Sequence, residues 1–189
     1  MAENDVRGAS ARDATFMVRS QLLSTDEVSR SLRRIAHEIL EHTDDVNDLV
    51  VVGLQTGGVA FATQLARDLS EITGRDVRSG QLDVAFYRDD GARNPTPTLS
   101  STVMDHDLTD RVVVVVDDVL YTGRTVRAAL NALTDWGRPR AVRLAVMVDR
   151  GHRELPIRPD YVGKNLPTSS GEAIVATLEG VWIGTRGRS

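Results

Sequence analysis

The chain has 189 residues with 41% hydrophobic side chains, enough for a single compact core, and no cysteine, which excludes disulfides and thiolate metal sites. Its formal net charge of -4 gives no overall pull toward nucleic acid, although a whole-chain sum hides local fields. No stretch has the length of a membrane span or the apolar segment of a secretory signal, so a cytoplasmic protein with no membrane partner is expected.

Residues 1–14 are polar, and a flexible N-terminal segment is expected through residue 19. The first helix is expected to begin near Ser24, where Ser24 and Glu27 have capping-box spacing. Val28, Leu32, Ile35 and Ile39 form its apolar stripe, which places Arg30, Arg33, Arg34 and His37 together on the opposite face. A buried strand over 49–54 and a helix from about Val59 to Ile72 follow, with Gly74 placed to end the helix. Leu82, Val84 and Phe86 alternate with more polar residues and predict a half-buried strand.

Residues 88–110 contain Pro95 and Pro97 and little apolar periodicity, the pattern of a long flexible lid. A strand over 112–116, a helix over 124–136 and a strand over 142–148 complete an alternating series. The fold class expected is therefore α/β, a mostly parallel twisted sheet flanked by helices with right-handed crossovers. Val181 to Ile183 are expected as an edge strand, and residues 185–189 as a tail to a single domain spanning 20–184.

Sheets of this class bind ligands at the carboxyl ends of their strands. The run VVVVVDDVLYTGRT, Val112 to Thr125, delivers Asp117 and Asp118 to such an end and then a short Gly-containing turn that opens a helix. Two carboxylates can accept hydrogen bonds from vicinal ribose hydroxyls, while N–H groups of Tyr121 to Thr125 converge on a phosphate at the positive end of the helix. The acids alone also suit a helix cap, a Mg²⁺ site or a phosphoacceptor pocket. No G-x-x-x-x-G-K-[ST] run occurs, which disfavours a nucleotide-triphosphatase loop.

From Arg124 to Lys164 there are nine basic residues against four acidic ones, a candidate anion-binding surface; the alternative is an ordinary solvated face. His152 has no metal-site companion at suitable spacing and reads as structural or RNA-facing.

The Val112–Thr125 run resembles the phosphoribosyl pyrophosphate (PRPP) signature of type I phosphoribosyltransferases. The stretches RRIAHEILE, LDVAFYRDD, VDDVLYTGRTVRAALNAL, GRPRAV and LAVMVDRGHRELPIRPDYVGKNLPTS resemble one branch of that family, the bifunctional pyrimidine operon regulators with uracil phosphoribosyltransferase activity. The resemblance implies that Asp117 and Asp118 hold the ribose and that Val119, Leu120, Tyr121, Thr122, Gly123, Arg124 and Thr125 frame the 5′-phosphate. It implies that Thr56 and Gly57 meet pyrophosphate, that Arg88 closes over it with the lid, and that Arg150 lies toward the nucleotide. Mg²⁺ would be held mainly through PRPP, with no dedicated protein metal site.

It further implies pyrimidine operon mRNA as a partner, bound through Arg33, His37, Arg153, Arg158 and Lys164, with uracil, UMP and UTP as small-molecule partners and a homodimer or higher homo-oligomer as the assembly. Family members carry a basic residue between the threonine and glycine of the pyrophosphate loop, whereas this chain reads Gln55-Thr56-Gly57-Gly58. That departure implies weakened turnover, recoverable by Gly57→Arg. The alternative is a nucleotide-sensing RNA-binding regulator with a decayed transferase site.

Overall fold

The computed structural model describes residues 16–87 and 102–187. Strand β1 (Phe16–Ser24) leads into helix α1 (Thr25–Glu41), and strand β2 (Leu49–Leu54) into helix α2 (Gly58–Thr73). Strands β3 (Arg78–Leu82) and β4 (Val112–Leu120) come next, then helix α3 (Arg124–Leu133) and strands β5 (Ala141–Asp149), β6 (Tyr161–Asn165), β7 (Ala173–Thr177) and β8 (Gly180–Arg186).

Five of these strands form an all-parallel sheet in the order β3-β2-β4-β5-β6. The six residues of β2 are all buried, as expected of a strand covered on both faces. Its alternate side chains divide the interior. Leu49 and Val51 face α1 and α2, while Val50, Val52 and Leu54 face α3. The chain leaves β2 toward β3 on one side, and β4 lies on the other, so the strand order reverses between β2 and β4. The carboxyl ends of these two strands therefore open a crevice between the starts of α2 and α3.

Helix α1 begins as expected. Ser24 accepts from Glu27 N, and the Glu27 carboxylate accepts from Ser24 N at 2.8 Å. Val28, Leu32, Ile35 and Ile39 are buried. Arg34 holds the helix against β6, donating to the carbonyls of Val162 at 2.8 Å and Gly163 at 2.9 Å. Gly74 closes α2 in the left-handed conformation at φ 66, which glycine adopts without a steric penalty.

The structure departs from expectation at several places. The third strand covers 78–82 rather than 82–86, and Ala85–Tyr87 turn as a 3-10 helix. Strand β4 runs on to Leu120, so Asp117 and Asp118 lie within it. The last helix ends at Leu133 and tightens into a 3-10 turn, Thr134–Trp136. Residues 102–110 do not belong to an open lid: Val103 bridges Gln81, and Met104 and Leu108 are buried.

The largest difference is a second sheet, antiparallel, in the order β1-β8-β7. Phe16 to Val18, expected to be loose, pair with β8, and β8 is its central strand rather than an edge. Ile174, Ala176, Val181 and Ile183 join the core on the α1–α2 side. Burial on the α3 side is equally tight, with Ala128 and Ala129 at 0% exposure.

Replacing Ser24 by alanine removes the cap of α1 and is expected to lower unfolding free energy by about 1 kcal/mol in urea denaturation. The Glu27 carboxyl is held below its usual range, first by the Ser24 backbone N–H and then by its hydroxyl. A depressed carboxylate stabilises the fold above its unfolded pKa, so this contribution fades as pH falls through the lower folded value, and the fading is smaller in Ser24→Ala, which loses the hydroxyl but keeps the backbone N–H.

Candidate functional site

Two loops face each other across the crevice. On the α3 side, Leu120 ends β4 with its side chain buried, and Gly123 turns at φ 91 into the first turn of α3. The carbonyls of Leu120, Tyr121 and Thr122 point to the segment after β5. Leu120 O accepts from Arg150 N at 3.1 Å, and Thr122 O accepts from Glu154 N at 3.0 Å and Leu155 N at 3.2 Å. Tyr121 O accepts from Arg153 Nη1 at 2.7 Å. In a trans peptide the carbonyl and the next N–H point in opposite directions. The N–H groups of Tyr121, Thr122 and Gly123 are therefore turned away from this brace, an arrangement of donors at the positive end of α3 that suits an anion.

The brace is built by arginines. Arg153 donates to Asp149 Oδ2 at 2.5 Å and to Ile157 O at 3.0 Å as well as to the turn. Its side chain is only 21% exposed, so its placement differs from the RNA contact expected of it. Arg124, expected at the phosphate, sends its guanidinium to Glu154, with Nε at 2.8 Å and Nη2 at 2.7 Å.

Arg150 is 7% exposed and bonds to Thr168 Oγ1 at 2.9 Å and to Glu172 O at 2.8 Å. It lies over the Tyr121 ring, 4.2 Å from the centroid. Arg150 thus ties the phosphate-side turn to the loop that enters the antiparallel sheet, a role its sequence context does not signal. His152 sits at φ 58, bonded through Nε2 to Thr168 O and edge-on to Tyr121.

Asp117 and Asp118 alternate across the strand. Asp117 is 8% exposed, and its Oδ1 accepts from Asp118 N at 3.0 Å. Asp118 follows the parity of Val114 and Val116, toward the α2 side, and its Oδ1 accepts from Val119 N at 2.7 Å. Val119 itself packs against the core. Desolvation pushes the Asp118 carboxyl above its usual range, against hydrogen bonds from Val119 N, Asp117 and its own N–H and the field of Arg186. A raised carboxyl favours the native state at low pH, and that contribution fades as pH rises through the folded value.

On the other side, Gln55 N donates to Leu82 O at 3.0 Å, the Gln55–Thr56 peptide is cis, and Thr56 is exposed. Gly57 caps α2. A Cβ at Gly57 would lie within 3.0 Å of Cγ and both oxygens of Asp118, and one at Gly58 would fall equally close to Val116 O. An arginine at 57 therefore cannot be added without moving the Asp118 side chain, so Gly57→Arg changes the placement of that carboxylate as well as adding a cation. Arg88 lies outside the described residues. Among the described residues, no group of three or more His, Cys, Asp or Glu is placed to hold a metal ion.

Residues expected on the basic surface lie on two neighbouring elements. Arg33 is exposed and 3.7 Å from Glu71, His37 is exposed beside it, and Arg34 brings this face of α1 against β6, which carries exposed Lys164. Arg158 is exposed ahead of β6.

The family profile described as Phosphoribosyl transferase domain matches residues 18–178. The Bifunctional protein PyrR of Deinococcus radiodurans is 52% identical over 162 residues, covering 85% of this chain and 88% of the relative. The protein of the same name in Roseiflexus sp. is 51% identical over 172 residues, covering 90% and 94%.

The chain belongs to the PyrR branch of the phosphoribosyltransferase family.

Solved phosphoribosyltransferases share its fold. A hypoxanthine-guanine phosphoribosyltransferase from Bacillus anthracis superposes with a TM-score of 0.67 at 19% identity, covering 88% of this chain and 98% of that one. A Trypanosoma cruzi hypoxanthine phosphoribosyl transferase gives 0.69 at 20%, covering 92% and 94%.

In this phosphoribosyltransferase the arginine brace is open to a direct test. Arg153→Ala is expected to cost about 3 kcal/mol of stability, the lower end for removing one partner of a mostly buried pair. The same variant is expected to weaken UMP binding, read by calorimetry, because the turn loses the donor that fixes the Tyr121 carbonyl.

Proposed function

We propose that the protein transfers the phosphoribosyl group of PRPP to uracil, giving UMP and pyrophosphate, and regulates pyrimidine biosynthesis genes by binding their mRNA in response to uridine nucleotides. The observation that carries the reading is the outward N–H edge of Tyr121–Gly123, set beside two strand-end carboxylates at the reversal point of a parallel sheet. Few ligands other than a phosphorylated ribose use both groups at once.

On this reading the 5′-phosphate rests on the N–H groups of Tyr121 to Thr125 at the start of α3. Asp117 and Asp118 accept hydrogen bonds from the ribose hydroxyls, and their negative charge favours the oxocarbenium character that develops at C1′. N1 of uracil forms the new bond to C1′ as the bond to pyrophosphate breaks, and uracil gives up its N1 proton. The Thr56–Gly58 backbone and the start of α2 receive the leaving pyrophosphate, and Arg88 closes over it. No covalent nucleophile is needed, so positioning and preorganised charge supply the acceleration. Mg²⁺, held mainly through oxygens of PRPP, would neutralise the departing charge. Arg150 acts by fixing Tyr121 and the Thr168–Glu172 loop.

The mRNA lies along α1 and β6, contacting Arg33, His37, Lys164 and Arg158 through phosphates and 2′-hydroxyls. UMP or UTP in the pocket favours the form that presents this face, through differential affinity for the two states. The working assembly is a homodimer or larger homo-oligomer in the cytoplasm. Gly57, in place of a loop cation, favours a second reading, a nucleotide sensor with a weakened transferase site.

Isotope-labelled uracil incubated with PRPP and Mg²⁺ separates the two readings: UMP formation supports the enzyme, and its absence with intact UMP binding supports the sensor. If turnover is present, Asp117→Asn should reduce kcat/KM by about 100-fold or more. For RNA, Lys164→Ala and Arg158→Ala should each weaken binding across sequences and lower the log-log salt slope by about 1. Binding indifferent to both changes would remove the RNA contact surface.

A further inference from the structure

Arg150 holds the first residues of the Tyr121 turn in two ways. Its N–H donates to Leu120 O at 3.1 Å, and its guanidinium lies over the Tyr121 ring. The residue is 7% exposed, and the acceptors of its guanidinium are neutral: Thr168 Oγ1 at 2.9 Å, Glu172 O at 2.8 Å and Ser169 O at 3.3 Å. All three belong to the loop between β6 and β7. A buried guanidinium needs such acceptors fixed in advance, because a loop that moved away would leave its N–H groups unsatisfied.

Glu172 closes that loop. Its N–H donates to Ser169 O at 3.2 Å, and its carboxylate reaches back to accept from Ser169 N at 2.8 Å, so the turn is bonded in both directions. The other carboxylate oxygen pairs with Arg19 of β1. The Ser169 N–H first, then the Ser169 hydroxyl and Arg19, hold the Glu172 carboxyl below its usual range, so it is charged at neutral pH. One side chain therefore sets the direction of two of the carbonyls that receive Arg150.

We infer that Glu172 is a positioning residue for the phosphoribosyl site: its carboxylate shapes the Thr168–Glu172 loop into the receptor for Arg150, and through Arg150 it holds Tyr121 and the turn that meets the 5′-phosphate. Arg19 clamps the carboxylate from β1. Glu172 touches no substrate itself. Its influence falls on the 5′-phosphate, which UMP and PRPP share, so its removal weakens both.

The inference rests on the phosphoribosyltransferase reading, and the test keeps the two apart. UMP is titrated by calorimetry into the full-length wild type, Glu172→Ala, Glu172→Gln, Arg150→Lys and the double variant Glu172→Ala with Arg150→Lys. Glu172→Ala should weaken UMP binding by about tenfold. Glu172→Gln, which keeps an acceptor for Ser169 N, should weaken it by less than about threefold. Arg150→Lys keeps the charge but lacks the fork that reaches several acceptors at once. In that background Glu172→Ala should add less than about twofold. Unchanged UMP binding in Glu172→Ala, an amide as damaging as alanine, or a full loss in the Arg150→Lys background overturns the inference; the last two are what a general loosening of the fold would give. A wild type that binds no UMP removes the functional reading, and this inference with it. If Glu172→Ala fails to fold, Arg19→Ala, at the exposed end of the pair, is titrated alone and with Arg150→Lys. A loss of about threefold that vanishes in the double variant supports the inference, and no loss, or the same loss in both, overturns it.

Discussion

The site depends on the direction of a few carbonyl groups. A short turn between a strand and a helix carries as many acceptors as donors, and it attracts an anion only when the acceptors are engaged elsewhere. Here the segment after β5 takes them, with Arg153 reaching the Tyr121 carbonyl while paired with Asp149. The charge that the composition spends on arginine is thus partly internal. A lysine at 153 could not serve Asp149, Ile157 and Tyr121 together, because it lacks the planar fork that addresses several acceptors at once.

The two sheets are joined through the same neighbourhood. Arg150 leaves β5 beside Arg153, stacks on Tyr121, and bonds to the loop ahead of β7. Arg150 therefore links the Tyr121 turn to the loop that enters the antiparallel sheet. The pocket's two halves are different in kind: the α3 half is a preformed set of donors, while the α2 half holds a carboxylate of the chain.

How much of this was legible in the sequence follows from how local each signal is. Strand β2 was readable to the residue because an uninterrupted apolar run suits a strand buried on both faces. The start of α1 was readable because a capping box spans only four residues. The glycine turn that opens α3 at Arg124 was readable for the same reason. Strand β3 was displaced because Arg78, Gly80 and Gln81 pair with β2 through backbone bonds that polar side chains do not reveal, while Val84 is buried outside any strand.

Strand β1 was missed because it is held by pairing with β8 while Met17 and Val18 stay exposed, so it shows no buried stripe. The fit of Asp118 to Gly57 joins residues from two strand ends and has no local signature. Arg153 was assigned to the RNA surface by the resemblance and counted in the basic stretch, and neither signal carries information on where a guanidinium points.

The antiparallel sheet also has a consequence for the ends of the chain. Phe16 lies opposite Arg186 and Ser24 opposite Gly180, so β1 is clasped by β8. The start of the fold cannot be completed until the ribosome has delivered its finish. A chain cut short before residue 180 loses β8 by omission and orphans two strands, β1, made early in translation, and β7, each left with no partner strand.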